Sequence, residues 1–281
     1  MTLFLHQCRG ELVKLFARKR TYIGFGAFLL TEIVILFLLS LERVRAAITR
    51  VIEQSGYPAN EFLSGLTLAL LILLWTVFLL GSLYLALVAG DIVGKEIEDG
   101  TMRMILSRPV SRGRILAMKI VAIVVYSLVL SWFISLTALA AGLIHSGVGG
   151  LFVFAPMEKV FALHEFGPGL SRYFLASFLL GFALLSIPAI GFFFSCFDMK
   201  PAAATIITLS ILFLDTILKN IPYFDSLRPF FLTARMTAWV FVFEYRIPWE
   251  RILEDYVWLA AINSTLIILA WLVFMRRDFK S

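Results

Sequence analysis

Few residues of this chain have the type and spacing that chemistry needs. Gly90-Asp91-Ile92-Val93-Gly94-Lys95-Glu96 has the outline of a loop whose backbone N–H groups cradle phosphates while a lysine reaches them. It places three residues between its glycines instead of four, has no Ser or Thr after the lysine and follows no strand. Nucleotide binding by that route is excluded. His145 and His164 lack the short His or Cys spacings of a metal site, so no metal is assigned. Gly24-Phe25-Gly26 stands alone inside an apolar run and reads as a packing notch rather than a dinucleotide turn, as do Ser82, Ala86 and Gly90. No nucleophile or acid–base set stands out at any span end, so the chain is read as a non-enzyme that binds no cofactor. Cys8 and Cys196 are too few for a disulfide framework and read as unpaired thiols.

Two acids are set apart by their surroundings. Six apolar stretches, at about 22–41, 63–90, 120–144, 173–197, 201–218 and 256–275, are long enough as helix to cross a hydrocarbon core, and of the chain's 44 charged residues they hold only Glu32 and Asp215. Glu32 falls ten residues into the first stretch, near the bilayer midplane. A charge there must face protein or water, either as a packing residue or as a transport-path candidate. Asp215 has Lys219 one turn on, which suggests an i,i+4 ion pair. Pro188, between Gly181 and Gly191, should kink the fourth stretch.

These stretches dominate the chain. Hydrophobic residues make up 60% of it, charged residues 16%, and the mean hydropathy is +0.92. No single globular core hides that much apolar surface. The expected fold is an all-α integral membrane protein with six transmembrane helices, 22–281 forming one transmembrane domain behind an interfacial helix at 1–21. The first stretch ends in Leu-Glu-Arg-Val-Arg rather than a small-residue cleavage site and is read as an anchor. The net charge of +6 does not indicate nucleic acid, because the basic residues cluster beside apolar runs. With the N-terminus cytoplasmic, the inner segments carry 15 Lys and Arg in 59 residues and the outer ones 10 in 86. That bias, with an even span count, places both termini on the cytoplasmic side of a cell membrane.

The connections differ in character. Residues 2–20 make an amphipathic elbow, with Leu5, Cys8, Leu12, Leu15 and Phe16 on one arc and Gln7, Glu11, Lys14 and Arg18 on the other, suited to the inner lipid interface. Residues 42–62 read as a short helix and loop, and 145–172 as a Gly-rich loop. Residues 219–255 contain Pro229–Thr233 and Trp239–Phe243, too apolar for a solvated loop and too short to span. They read as re-entrant or interfacial helices, with Trp239, Tyr245 and Trp249 at headgroup level.

The segment 91–119 is a charged island of 29 residues holding six of the 25 Lys and Arg. Glu96, Glu98 and Asp99 read as a helix start favoured by the macrodipole, and Gly100 as a break. Thr101, Met104, Ile105 and Leu106 give a short apolar face that a solvated loop has no reason to carry. Pro109 ends it, Ser111 caps the next helix, and Arg112 returns the chain to the anionic inner surface.

This run, from Asp91 through Gly94-Lys95-Glu96, Gly100-Thr101 and Ser107-Arg108-Pro109 to Lys119, lies between the second and third spans and resembles the signature of ABC-2 type permeases. These are the membrane subunits of ATP-binding-cassette exporters. The elbow, the span count, the apolar helices before the last span and the ending Phe274…Arg276-Arg277-Asp278 are similar as well. The resemblance implies that 91–119 carries a coupling helix docking on a separate ATPase chain, which would use ATP and Mg. It also implies that two permease copies, or this chain and a homologous permease, pair within membrane lipids. An importer-type Glu-Ala-Ala loop is absent, Glu96-Ile97-Glu98 standing in its place. The alternatives are a secondary transporter with a midplane Glu32 site, or a membrane-embedded structural or enzymatic subunit.

Overall fold

A computed structural model describes residues 2–54, 56, 58–107 and 110–277. Helix α1 (Thr2–Phe16) leads into α2 (Lys19–Ser40), the first long apolar helix. The second is α5 (Gly65–Thr76) continued through a π-helical stretch, Val77–Gly81, into α6 (Ser82–Glu98). After the short α7 (Thr101–Leu106) come the other four, formed by α8 (Arg112–Ser146), α9 (Phe166–Leu184) with α10 (Ser186–Ser195), α11 (Pro201–Lys219) and α13 (Trp249–Arg276). The six expected spans are thus six helices long and apolar enough to cross a membrane.

Local sequence explains most of the breaks. Ser64 caps α5, its Oγ accepting from Leu66 N–H at 3.1 Å. Gly147 ends α8 in the left-handed region, at φ 70°. Pro201 opens α11 at a position where its missing N–H costs nothing. Pro188 has no N–H for the Leu184 carbonyl and its ring crowds that oxygen, so the fourth span is interrupted at Leu185.

Small residues set the helix spacing. α5 crosses α8 where Gly65 meets Gly142, and a Cβ on Gly65 would stand 2.6 Å from the Gly142 carbonyl. A second seam runs along α6, where a Cβ on Gly90 would stand 2.6 Å from Thr205 Oγ1 and one on Gly94 3.2 Å from the Pro201 ring. Along α2 the buried residues Thr21, Gly24, Phe28, Glu32 and Ile35 make one helical stripe, while Ile23, Leu30, Ile33 and Phe37 are at least 65% exposed, as a lipid-facing side would be. Gly24 receives the Tyr84 ring, whose hydroxyl meets Tyr126 Oη at 2.9 Å, whereas Gly26 faces open space. Gly24→Ala should therefore displace that ring at a cost of about 1–3 kcal/mol. Gly26→Ala should be neutral or stabilise by about 0.5–1 kcal/mol through helix propensity. Melting temperatures in detergent check the pair, and equal effects would refute the packing notch.

At the end of the bundle away from α1 and α7 the structure departs from expectation. The Gly-rich 145–172 segment contains a two-stranded antiparallel sheet, β1 (Leu151–Ala155) and β2 (Val160–His164), in register Leu151 with His164 to Ala155 with Val160. Lys159, at φ 60°, closes the turn. The hairpin is stitched to the start of α5, Ser64 Oγ donating to Gly150 O at 2.6 Å and Phe152 N–H to Thr67 Oγ1 at 2.9 Å. His164 Nε2–H donates to Phe243 O at 2.7 Å, and burial lowers the imidazole's pKa. Residues 42–62 form α3 (Glu42–Gln54) and α4 (Ala59–Phe62), with Ile52 of α3 buried against Phe152 and Leu163.

Residues 219–255 hold two 3₁₀ helices, Pro222–Phe230 and Ala238–Phe243, around the short α12 (Leu232–Arg235). Trp239 was expected at headgroup level, but it is buried within the protein together with Val240–Phe243, because the hairpin, α9 and α13 cover it. Tyr245 and Trp249 stay exposed. Arg172 satisfies the carbonyls this irregular backbone leaves over, donating to Val242 O, to Glu244 O at 2.5 Å and to Tyr245 O at 3.0 Å. Nor does Asp215 form the expected i,i+4 pair. Its carboxylate accepts from Thr233 N–H at 2.7 Å, Thr233 Oγ1 at 2.6 Å and Leu232 N–H at 3.1 Å, so it caps the start of α12.

Candidate coupling site

The charged island is mostly helix. α6 runs eight residues past Gly90 to Glu98, and α8 begins at Arg112, before the apolar run that starts at Ile120. Glu96 and Glu98 therefore end a helix rather than start one, against the expectation. A carboxylate is disfavoured by the dipole there, and Lys95 offsets it by pairing with Glu98 at 2.9 Å and Asp99 at 3.1 Å. Gly100 reverses the chain at φ 70°, a conformation that favours glycine. Thr101 Oγ1 donates back to Glu96 O at 3.2 Å and joins the two helices.

α7 has two faces. Met102 is buried in the main core, and Ile105, one turn on, packs with Phe4 and Val110 against Cys8, Ile115 and Met118. Met104 points away with 65% of its surface exposed, beside exposed Ser107, whose Oγ bonds Met104 O at 2.9 Å. Pro109 and the side chain of Leu106 lie outside the described residues. Ser111 caps α8 by accepting from Arg114 N–H at 3.4 Å.

Behind α7 lies a buried ionic cluster. Lys119 is 1% exposed, and its ammonium meets Glu96 at 2.7 Å, Ile92 O at 2.9 Å and Glu11 at 3.4 Å. Lys14 pairs with the same Glu96, itself 2% exposed. Two acids and two bases from α1, α6 and α8 thus balance one another in a site where a lone charge would be costly. Glu96 is turned into this cluster and away from the outer face of α7. One level deeper, Arg20 of α2 holds Asp91 of α6 at 2.5 Å. α1 thus meets protein through Glu11 and Lys14 on its polar arc and through Cys8 and Leu15 on its apolar one, while Leu3, Leu5 and Val13 are exposed. Cys8 is buried next to Ile115 and Met118, and desolvation raises its thiol pKa.

Arg112 ties this end to the rest of the bundle. It donates to Met275 O at 3.1 Å and Arg277 O at 2.8 Å, and Arg277 in turn donates to Phe197 O at 2.7 Å and to Asp198 at 2.6 Å. The turn between α10 and α11, the end of α13 and the start of α8 therefore form one unit. The sequence singled out Glu96, Glu98, Gly100, Thr101, Met104, Ile105, Leu106, Pro109, Ser111 and Arg112; in the structure Thr101 is bonded to the end of α6, Ile105 packs against the start of α8 and Ser111 caps α8. It missed Lys14, Lys119 and Glu11, whose only signal was the i,i+3 spacing of Glu11 and Lys14 and the isolation of Lys119 at the edge of an apolar run.

Glu32 is remote from this assembly. It is 2% exposed, on the α2 stripe facing α8, and its carboxyl takes a hydrogen bond from Thr137 Oγ1 at 2.8 Å. His145 is bonded to Ser40 at 3.0 Å and His164 to Phe243, so each serves its own contact.

The family model described as ABC-2 family transporter protein matches residues 15–228, from the end of α1 into the 3₁₀ helix after α11. No curated protein gives a significant match. With that model covering most of its length, including the whole α6–α8 junction, the chain belongs to the ABC-2 transporter family and is a membrane permease component of an ABC transporter.

Proposed function

We propose that this permease works with a separate ATP-binding-cassette subunit that docks on α7. ATP and Mg are used in that partner, and two permease copies, or this chain and a homologue, enclose an export path in the cell membrane. The observation that carries the reading is the division of α7. Met102 is buried and Ile105 is half-buried against α1 and α8, while Met104 offers an uncommitted apolar contact to the outside. A force applied to Met104 would be passed to three helices at once through Glu96 and Lys119. Glu96 in this scheme braces the docking element, and Glu98, Gly100, Thr101, Ser111 and Arg112 shape it.

Met104→Asp should leave expression and melting temperature unchanged, because the side chain is 65% exposed. Burying one such side chain in a partner groove contributes about 1.5–3 kcal/mol. Co-purification of the ATPase should therefore fall by a factor of about 10 to 100. Undiminished co-purification and transport would remove α7 as the docking element.

The orientation is tested separately. Single cysteines at Ser146 and Ser226, both exposed, should react with an impermeant thiol reagent in intact cells, and one at exposed Ser107 should not. The opposite pattern would place α7 outside the cell and end the proposal.

A further inference from the structure

Two cavities lie side by side at the end of the bundle opposite α7. One, of about 360 Å³, is apolar and sits between α3, α5, the hairpin and the second 3₁₀ helix, with Val44, Ile48, Leu70, Trp75, Trp239 and Phe243 in its wall. The other, of about 580 Å³, is lined by five basic and five acidic side chains from the hairpin turn, the end of α11, the first 3₁₀ helix, α12, the end of the second 3₁₀ helix and the start of α13. Glu158 and Thr237 line both, so the two meet.

Most of the basic side chains of the second cavity have no ion-pair partner among the described residues. Among the described residues Arg235 is its one basic side chain with a carboxylate within 4.0 Å, Asp255 at 2.7 Å and Glu254 at 3.8 Å. Lys219 is only 9% exposed and its ammonium meets Thr233 O at 3.5 Å; among the described residues no carboxylate comes within 4.0 Å of it, Glu158 and Asp215 acting from farther off. Arg228 bonds the Met157 carbonyl at 2.9 Å, and Arg251 lies 3.7 Å over the Phe241 ring. Glu158, Asp225 and Glu244 bring negative charge to the same walls. A buried ammonium with no carboxylate in contact is costly, and a bound anion in direct contact would offset that cost.

From this juxtaposition we infer that the paired cavities form a phospholipid site. An acyl chain fills the apolar half, the phosphate lies against Lys219 and Arg228, and an ammonium headgroup faces Glu158, Asp225 and Glu244. The ligand class is a glycerophospholipid carrying both a phosphodiester and an amine. A neutral amphiphile leaves Lys219 unmatched, and a free phosphate leaves the apolar half empty. The inference is independent of ATPase docking, since the site is built from this chain's residues alone.

The test uses purified, delipidated protein in detergent, with native mass spectrometry to read bound lipid. Dioleoyl phosphatidylethanolamine should bind one to one. Dioleoylglycerol, glycerophosphoethanolamine and inorganic phosphate should each bind at least tenfold more weakly. Lys219→Met and Arg228→Gln should weaken phospholipid binding about tenfold or more, and Val44→Trp, which fills the apolar half from α3, should do the same. An unchanged melting temperature for Arg228→Gln shows that its loss of binding is local. The site is refuted if dioleoylglycerol binds as well as the phospholipid, if inorganic phosphate binds as well, or if all three variants retain wild-type affinity.

Discussion

Lys119→Met should cost this permease a large share of its stability. The substitution keeps the length and apolar stem of the side chain but removes the ammonium that faces Glu96 at 2.7 Å and Glu11 at 3.4 Å. Glu96 is then left 2% exposed with Lys14 as its remaining partner. Breaking a buried pair from one side costs about 3–5 kcal/mol, because the other charge stays buried. Against a total of about 5–15 kcal/mol that loss lowers the melting temperature sharply and cuts the yield of folded protein. Cys8, buried where α1 meets α8, supplies a second readout, since release of α1 would make it reactive toward a thiol reagent. Combining Lys119→Met with Glu96→Met removes both charges and leaves Glu11 beside Lys14 at 3.9 Å, so stability should largely return. A Lys119→Met protein that melts like the parent would show that the cluster does not hold α1, α6 and α8 together.

The second large effect is expected at Glu32. The carboxyl sits on the buried stripe of α2 and accepts from Thr137, so Glu32→Gln keeps a group of the same size that can bond Thr137 and should assemble normally. Glu32→Lys puts a longer side chain and a fixed cation at the same depth. Insertion scales place that penalty at about 2.5–3.5 kcal/mol for the charge alone. Loss of the correctly inserted protein is expected, read as protease-resistant yield from membranes. Normal insertion and assembly of the lysine variant would mean that position 32 opens to water or to the lipid headgroups.

Both sites show where sequence was informative and where it stopped. The spans were legible because exclusion of charge over about 20 residues has few causes other than lipid. Their ends were not, since an apolar run records membrane thickness while a helix continues into water as long as its backbone bonds are made. That is why α6 reaches Glu98 and α8 starts at Arg112, and why Glu96 and Glu98 were assigned to the wrong end of a helix. The hairpin was hidden by the glycines around it. Leu151–Ala155 and Val160–His164 are only five residues each, and what makes them strands is each other and the start of α5. Asp215 followed the same rule, its partner on α12 being 18 residues away and nearer in space than the local lysine suggested. The site was half legible. Gly100, Ser111 and the apolar character of α7 are local signals, whereas Glu96 meeting Lys14 and Lys119 joins segments 82 and 23 residues apart.

The π-helical stretch Val77–Gly81 places a constraint on how this chain can change. A π turn takes one residue more than an α turn, so everything after it is offset by about 100° around the axis relative to an uninterrupted helix. That offset lets α5 present Gly65 to α8 while α6 presents Ala89, Gly90 and Gly94 to α10 and α11 and still aims Asp91 at Arg20 and Glu96 at Lys119. Phe78 and Leu79 are exposed, Phe78 facing the Trp75 ring, so their side chains are free of the core. Their number is constrained. Deleting one would restore an even helix and turn the seam glycines and both acids of α6 out of phase with their partners in a single step, so residue count within this turn is held more tightly than residue identity.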